Sequence, residues 1–141
     1  MFRICLATAL AAALVWVAAA QTPEAVVQAQ VEAYNARDVE AFLATYSDDA
    51  QLFEHPDKLI ATGHNELRTR YAERFKEPNL HAEIVKRIVM GNIVVDHEKV
   101  ARTFPEGPGT LEAIAIYQVE AGKIAKVWLI PGAKSLSAST K

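Results

Sequence analysis

His55 is the residue whose chemistry stands out first. It follows Glu54 and directly precedes Pro56, at the end of a short apolar segment. An imidazole titrates near neutral pH without a large shift, so His55 could move a proton at the mouth of a pocket. In that hypothesis Tyr71 or Tyr117 donates a hydrogen bond to a substrate carbonyl. The alternative interpretation is that His55 and Glu54 only end a strand before a turn-forming proline.

Two neighbouring segments contain residue types that bind metals. They are His81 and Glu83 in one predicted strand, and Asp96, His97 and Glu98 in the next. Alternate strand residues face opposite sides, so His97 points away from its two neighbours, whereas zinc requires three or four convergent ligands. We therefore predict no metal and no cofactor. Instead we expect Arg87 or Arg102 to pair with the carboxylates of residues 96 and 98 across the hairpin.

Nucleophilic catalysis has no support in the sequence. There is no Gly-x-Ser-x-Gly turn and no glycine-rich phosphate loop. Cys5 is the only cysteine and lies in the N-terminal apolar segment, so the rest of the chain offers no disulfide and no thiolate.

Residues 1–20 have the pattern of a cleaved signal peptide. Arg3 supplies the positive charge, Ile4 to Val17 form an apolar run, and three alanines give a small-x-small cleavage pattern before Gln21. The run is shorter than the ~20 residues that span a bilayer. Cys5 does not follow the run, as the cysteine of a lipoprotein signal would. We expect a secreted or periplasmic protein without membrane attachment; an uncleaved anchor is the alternative.

The remaining chain predicts one domain over 21–133 and a flexible tail over 134–141, which is rich in Ser, Ala and Lys. The formal net charge of −2 argues against a nucleic-acid partner. Arginines 68, 70 and 74 and Lys76 do cluster, but glutamates are interleaved with them, which is typical of a solvated helix face.

The order of predicted elements indicates an α+β fold. Thr22 and Pro23 start a first helix, Asp38 caps a shorter second helix that residues 47–49 end, and a third helix runs from Asn65 to Lys76. The predicted strands are residues 50–54, 82–90, 93–104, 111–119 and 124–130, with a loop over 105–109. The last two strands are apolar on both faces, which predicts a homodimer through the sheet.

Several motifs in this order resemble the SnoaL-like and ketosteroid-isomerase-like branch of the NTF2-like superfamily. They are Asn35-Ala36-Arg37-Asp38, Ser47-Asp48-Asp49-Ala50, the stretch from Thr62 to Tyr71, and the closing segment from Tyr117 to Trp128. The resemblance implies an NTF2-like cone, in which three N-terminal helices pack in the concave face of a curved, mostly antiparallel sheet. It also implies an apolar pocket open at one end and a dimer, but not one activity.

The resemblance also suggests which residues line the pocket. On it we expect these ligand-binding positions: Tyr34, Phe53, Tyr71, Arg87, Ala115 and Tyr117. Ketosteroid isomerases use a carboxylate base and two oxyanion donors, a tyrosine and a protonated aspartic acid. The base position here is His55, and the donor positions fall on Gln30 and Ala115, so steroid isomerisation by the family mechanism is not expected.

Three functions remain open. The first is binding of a small apolar or amphipathic molecule. The second is acid–base catalysis of the isomerase, dehydratase or cyclase type by His55 with Tyr71 or Tyr117, without a cofactor. The third is a dimeric interaction domain whose pocket is filled by side chains.

Overall fold

The computed structural model describes residues 20–138. Residues 1–19 of the predicted signal peptide and the last three residues of the predicted tail lie outside this range. The elements, in chain order, are α1 (Pro23–Ala36), α2 (Val39–Ala44), β1 (Tyr46–Glu54), β2 (Lys58–Thr62), α3 (Gly63–Arg74), β3 (His81–Met90), β4 (Ile93–Phe104), β5 (Gly107–Glu120) and β6 (Lys123–Leu136).

Six strands form one sheet in the order β2-β1-β6-β5-β4-β3. All neighbours are antiparallel except β1 and β6, which run parallel. Helix α1 packs on β3 to β6, while α3 packs on β1 and β2. The chain therefore has an NTF2-like α+β fold with a curved, mostly antiparallel sheet and helices against its inner face.

The first two helices begin where the sequence predicts. The Thr22 side chain accepts a hydrogen bond from the Ala25 amide at 3.2 Å, and the Asp38 side chain accepts one from the Ala41 amide at 2.9 Å. These contacts satisfy backbone donors that the first turn of a helix leaves without partners. Between the two helices Arg37 adopts a left-handed conformation, with φ 57°.

The predicted end of the second helix is wrong. It ends at Ala44, and residues 47–49 already belong to β1. Parallel pairing with β6 explains the difference, since Tyr46 pairs with Ile124 and the Ser47 hydroxyl donates to the Ile124 carbonyl at 3.3 Å. The sequence analysis also missed β2, which pairs with β1 as a short edge strand.

The third helix begins at Gly63, two residues before the predicted start, and ends at Arg74. It follows β1 and β2, so only the first two helices precede the sheet. Gly63 has a φ of 76°, and a Cβ atom there would lie 3.1 Å from the Asp48 carbonyl oxygen. Glycine is therefore favoured at this position both by the backbone conformation and by the close approach of β1.

The last hairpins are longer than the sequence predicts. The predicted loop over 105–109 shrinks to a turn at residues 105 and 106, because residues 107–109 pair with β4. At the other end, Lys134, Ser135 and Leu136 pair with β5. The strand thus runs past the predicted domain end at residue 133 into the segment predicted to be a flexible tail.

The outer face of the sheet, away from the helices, carries a row of apolar residues that we call the outer row. Strand register aligns its members, which are Phe53, Trp128, Ile116, Val95 and Ile88. The rings of Phe53 and Trp128 stack with centroids 5.7 Å apart and planes 13° apart. The inner face is apolar as well, since Ala115 and Tyr117 are buried there. Both faces of the central strands are therefore apolar, as the sequence indicates.

Candidate functional site

A cavity of about 200 Å³ opens between the inner face of the sheet and helices α1 and α3. Its apolar wall comes mainly from the sheet, with one residue from α1: Val31, Ile60, Ala82, Val100, Leu111, Ala113, Leu129 and Pro131. The wall also contains polar side chains from every side, including two acids, three arginines and three tyrosines. The cavity wall thus combines apolar side chains with charged and hydrogen-bonding groups.

Glu98 and Tyr117 form a hydrogen-bonded pair in the cavity wall. Glu98 lies on β4 and Tyr117 on β5, and the Tyr117 hydroxyl donates to Glu98 Oε1 at 3.2 Å. Burial raises the pKa of Glu98 to about 7, and the neighbouring charge of Asp96 adds to the rise. The hydrogen bond from Tyr117 and the charge of Arg87 oppose it. Near neutral pH this carboxyl can therefore either donate or accept a proton.

A buried ion pair lies next to Glu98 on the same strand face. Asp96 is fully buried, and its two carboxylate oxygens accept hydrogen bonds from Arg87 Nε at 2.7 Å and Nη2 at 2.8 Å. Arg87 Nη1 also donates to Gln28 Oε1 at 3.0 Å. The predicted pairing of Arg87 with Asp96 is confirmed. A planar guanidinium matches both carboxylate oxygens at once, which is the strong form of this interaction.

The cavity also contains three arginines and one more acid. Arg70 and Arg74 come from α3, Arg102 from β4 and Glu54 from β1. Arg102 pairs with Glu77 rather than with Glu98, through two contacts of 2.7 and 2.8 Å. The predicted pair of Arg102 with Glu98 is therefore wrong, because the loop after α3 places Glu77 beside the far end of β4.

The tyrosines of the cavity are kept neutral by their surroundings. Burial raises the pKa values of Tyr34, Tyr71 and Tyr117. For Tyr71 the charges of Arg70 and Arg74 partly oppose the rise. A neutral phenol donates and accepts hydrogen bonds but does not serve as a base near pH 7. Tyr34 and Tyr71 also pack edge to face, with ring centroids 6.3 Å apart.

The family model described as a SnoaL-like domain matches residues 27–127. The chain belongs to the SnoaL-like family. Among curated proteins no sequence relative matches it.

Solved structures share the fold of this SnoaL-like chain. An uncharacterized cystatin fold protein from Novosphingobium aromaticivorans is 27% identical, with a TM-score of 0.72, covering 78% of this chain and 98% of that one. A protein with a ketosteroid isomerase-like fold from Catenulispora acidiphila, in complex with trimethylamine, is 18% identical, with a TM-score of 0.65 and coverages of 77% and 85%. An LEH-like epoxide hydrolase from M. tuberculosis is 15% identical, with a TM-score of 0.66 and coverages of 76% and 80%.

Of the residues predicted for the pocket of this SnoaL-like chain, Tyr34, Tyr71 and Tyr117 line the cavity. His55 does not line it; it is exposed in the turn after β1, and its backbone amide donates to the Leu129 carbonyl at 2.8 Å. The structure therefore separates the predicted base from the predicted tyrosine donors.

The other three predicted ligand-binding residues also lie away from the cavity wall. Phe53 stacks on Trp128 on the outer face, because its neighbour Glu54 is the β1 residue that faces the cavity. Arg87 is bound to Asp96. Ala115 is fully buried on the inner face and contributes no cavity surface.

From the sequence, Glu98 was considered as a metal ligand or an ion-pair partner, and the arginines of α3 were expected to be solvated charges. A signal for Glu98 was present in β4, where residues 94, 96, 98, 100 and 102 alternate with the outer-face residues. Two acids at neighbouring inward positions, Asp96 and Glu98, are a reason to look for a functional carboxyl there. Within residues 20–138 no group of three or more His, Cys, Asp or Glu side chains is placed to hold a metal ion. None of the helices in that range has the length and apolar character needed to cross a membrane.

Proposed function

We propose that this SnoaL-like protein binds a small amphipathic molecule in the cavity between α1, α3 and the sheet. The observation that carries the proposal is the Glu98–Tyr117 pair, which lies in the cavity wall beside the apolar side chains of β4 and β5. Small-molecule sites combine apolar walls with a few polar groups that fix orientation. The volume of about 200 Å³ favours a ligand smaller than a typical drug, for which sites measure roughly 300 to 1,000 Å³.

The polar pair favours a ligand with an oxygen at one end. A protonated Glu98 can donate a hydrogen bond to a carbonyl or ether oxygen, and an ionised one can accept from a hydroxyl. Val100, Leu111 and Ala113 lie on the same face of β4 and β5 and would contact the apolar body of the ligand. A site built to hydrogen-bond a ligand oxygen discriminates strongly against analogues that lack it, because its own polar groups would be left unpaired.

The experiment is a binding titration by thermal shift and calorimetry with small ketones and alcohols that carry an aryl or alkyl body. Ala113→Phe fills the cavity and should abolish binding. Ile114→Phe, on the adjacent outer-face residue, is the matched control and should bind as the wild type does. Binding that survives Ala113→Phe, or a panel without any ligand, would contradict the proposal.

Acid–base catalysis is the second candidate, and the pKa of about 7 for Glu98 favours it. The Glu98 carboxylate would remove a proton from a carbon next to a ligand carbonyl and return it to another carbon, as in an isomerase. Tyr71 would donate a hydrogen bond to the carbonyl oxygen as negative charge develops there. This assignment moves the base from His55 to a residue that lines the cavity.

Product analysis separates the two candidates. If the protein converts a bound ketone, Glu98→Gln should bind the ketone without converting it, whereas His55→Ala should still convert it. If the wild type and every variant bind the ketone but leave it chemically unchanged, the protein is a binding module. Loss of conversion in His55→Ala alone would return the catalytic role to His55.

The protein also forms a homodimer through its sheet in this proposal. The outer row supports the idea because it places five half-buried or exposed apolar side chains side by side across five strands. Contiguous apolar surface of this kind marks interaction sites on soluble proteins. The alternative of a pure assembly domain required a cavity filled with side chains, and the open volume argues for a ligand as well.

Export to a secreted or periplasmic location completes the proposal. It rests on the sequence pattern of residues 1–20 alone, with a positive n-region, an apolar core and a small-residue cleavage pattern. A ligand would then be met outside the cytoplasm, after the signal peptide is removed.

A further inference from the structure

The wall of the cavity carries more positively charged than negatively charged side chains. Arg102 and Arg74 share one carboxylate, Glu77, which accepts two short hydrogen bonds from Arg102 and lies 3.5 Å from Arg74 Nε. Burial lowers the pKa of Arg74, and the neighbouring charge of Arg102 lowers it further. A carboxylate shared in this way leaves positive charge on the cavity side of α3.

Arg70 adds to that surplus. It is exposed, lies one helical turn before Arg74 and lines the same cavity. Among residues 20–138, no carboxylate forms an ion pair with it. Its neighbour Arg68, by contrast, is paired with Glu40 and lies outside the cavity. Glu54 is the acid that opposes the arginines from β1.

Arg102 and the Glu98–Tyr117 pair lie toward opposite ends of the cavity wall, and the shared Glu77 places Arg74 beside Arg102. Glu98 and Arg102 are on one face of β4, four residues apart, which corresponds to roughly 13 Å between their Cα atoms. Val100 lies between them on that face, beside Leu111 of β5. A molecule that spans this wall meets a hydrogen-bonding pair, then apolar side chains, then guanidinium groups.

From this arrangement we infer that the ligand is an amphipathic organic acid, whose carboxylate is bound by Arg70 at the arginine end of the cavity and whose far end carries an oxygen for Glu98 and Tyr117. The inference rests on the proposed binding function and adds the chemical class of the ligand. Guanidinium groups suit a carboxylate because their donors match its two oxygens. The same carboxylate would also stabilise the charged form of Arg74, because nearby negative charge favours a protonated guanidinium.

The test uses two probes of the same shape, 4-(4-hydroxyphenyl)butanoate and its neutral amide, titrated calorimetrically against the full chain. We expect the carboxylate to bind at least tenfold more tightly than the amide at low salt, with an advantage that shrinks as salt is added. Arg70→Gln should reduce carboxylate affinity about tenfold and leave amide affinity unchanged. Arg68→Gln, on the same helix but outside the cavity, should leave both affinities unchanged.

Equal affinities for acid and amide, or an equal loss in the Arg70 and Arg68 variants, would overturn the inference and leave the binding function standing. Binding of neutral ketones or alcohols without binding of the acid would also overturn the inference and leave the binding function standing. If no probe of any kind binds, the binding function fails together with the inference. Because Arg70 is exposed, its variant should unfold at the temperature of the wild type, which a melting curve checks.

Discussion

Glu98 should make the protein less stable as the pH rises through the acid-to-neutral range. Its pKa is raised from an ordinary value of 4.5 to about 7, first by burial and then by the charge of Asp96. The unfolded chain therefore releases the Glu98 proton near pH 4.5, whereas the folded chain holds it to about pH 7. Between these pH values ionisation favours the unfolded state, so stability falls as the pH rises from about 4.5 to about 7 and levels off at its lowest value above pH 7.

The size of the effect follows from the two pKa values. At 1.36 kcal/mol per pKa unit, the penalty from Glu98 grows by about 2.5 kcal/mol between pH 5 and pH 8. Glu98→Gln keeps the shape and an acceptor for Tyr117 but has no proton to release. Its free energy of unfolding should rise relative to the wild type by about that amount over the same pH interval.

Urea unfolding of both proteins at several pH values between 5 and 8 measures this difference. Glu83→Gln removes an exposed carboxylate from β3 and serves as the control, for which the difference from the wild type should change by less than about 0.5 kcal/mol. If the difference between Glu98→Gln and the wild type is the same at pH 5 and pH 8, the raised pKa and the proton-transfer role built on it are both refuted.

Three further perturbations test other parts of the structure. Arg87→Gln should destabilise the fold by about 3 kcal/mol in urea because it leaves a fully buried carboxylate without its partner, whereas Arg68→Gln, in an exposed pair, should cost less than about 1 kcal/mol. Trp128→Glu places a charge in the outer row and should convert a dimer to monomers in sedimentation experiments; a monomeric wild type would contradict the dimer proposal. Protein recovered from an exporting host should begin at Gln21 by N-terminal sequencing, and a retained Met1 would refute cleavage.

The sequence predicted those parts of the fold that depend on local patterns. Thr22 and Asp38 cap helices because their side chains reach amides three residues along the chain. The turn at Gly91 and Asn92 joins β3 to β4 as expected. By contrast, the first residues of β1 are strand because of a partner that is distant in sequence, Ile124 for Tyr46. Pairing of that kind leaves no local pattern to detect.

The cavity was harder to predict than the fold. Of the residues predicted for the pocket, the tyrosines at 34, 71 and 117 line the cavity, whereas His55 and Phe53 do not. Phe53 lies on the outer face because its neighbour Glu54 faces the cavity. The register between β1 and β2 shifts between Leu52 and Phe53, and a shift of this kind changes the face on which a residue lies. Glu98 was expected to pair with an arginine because its spacing from Asp96 fits an ion-pair pattern, and only the three-dimensional structure shows that Arg87 binds Asp96 and not Glu98.

The Asn35 side chain hydrogen-bonds to the backbone at one edge of the sheet, as a residue of a neighbouring strand would. Its amide group donates to the Ala82 carbonyl at 2.9 Å, and its oxygen accepts from the Ala82 amide at 2.7 Å. Ala82 lies on β3, an edge strand whose outward backbone groups would otherwise be open to another chain. Growth of the sheet by strand addition is therefore blocked at this end. Along β3, an added strand would therefore pair at the opposite end, where Ile88 and Met90 are exposed.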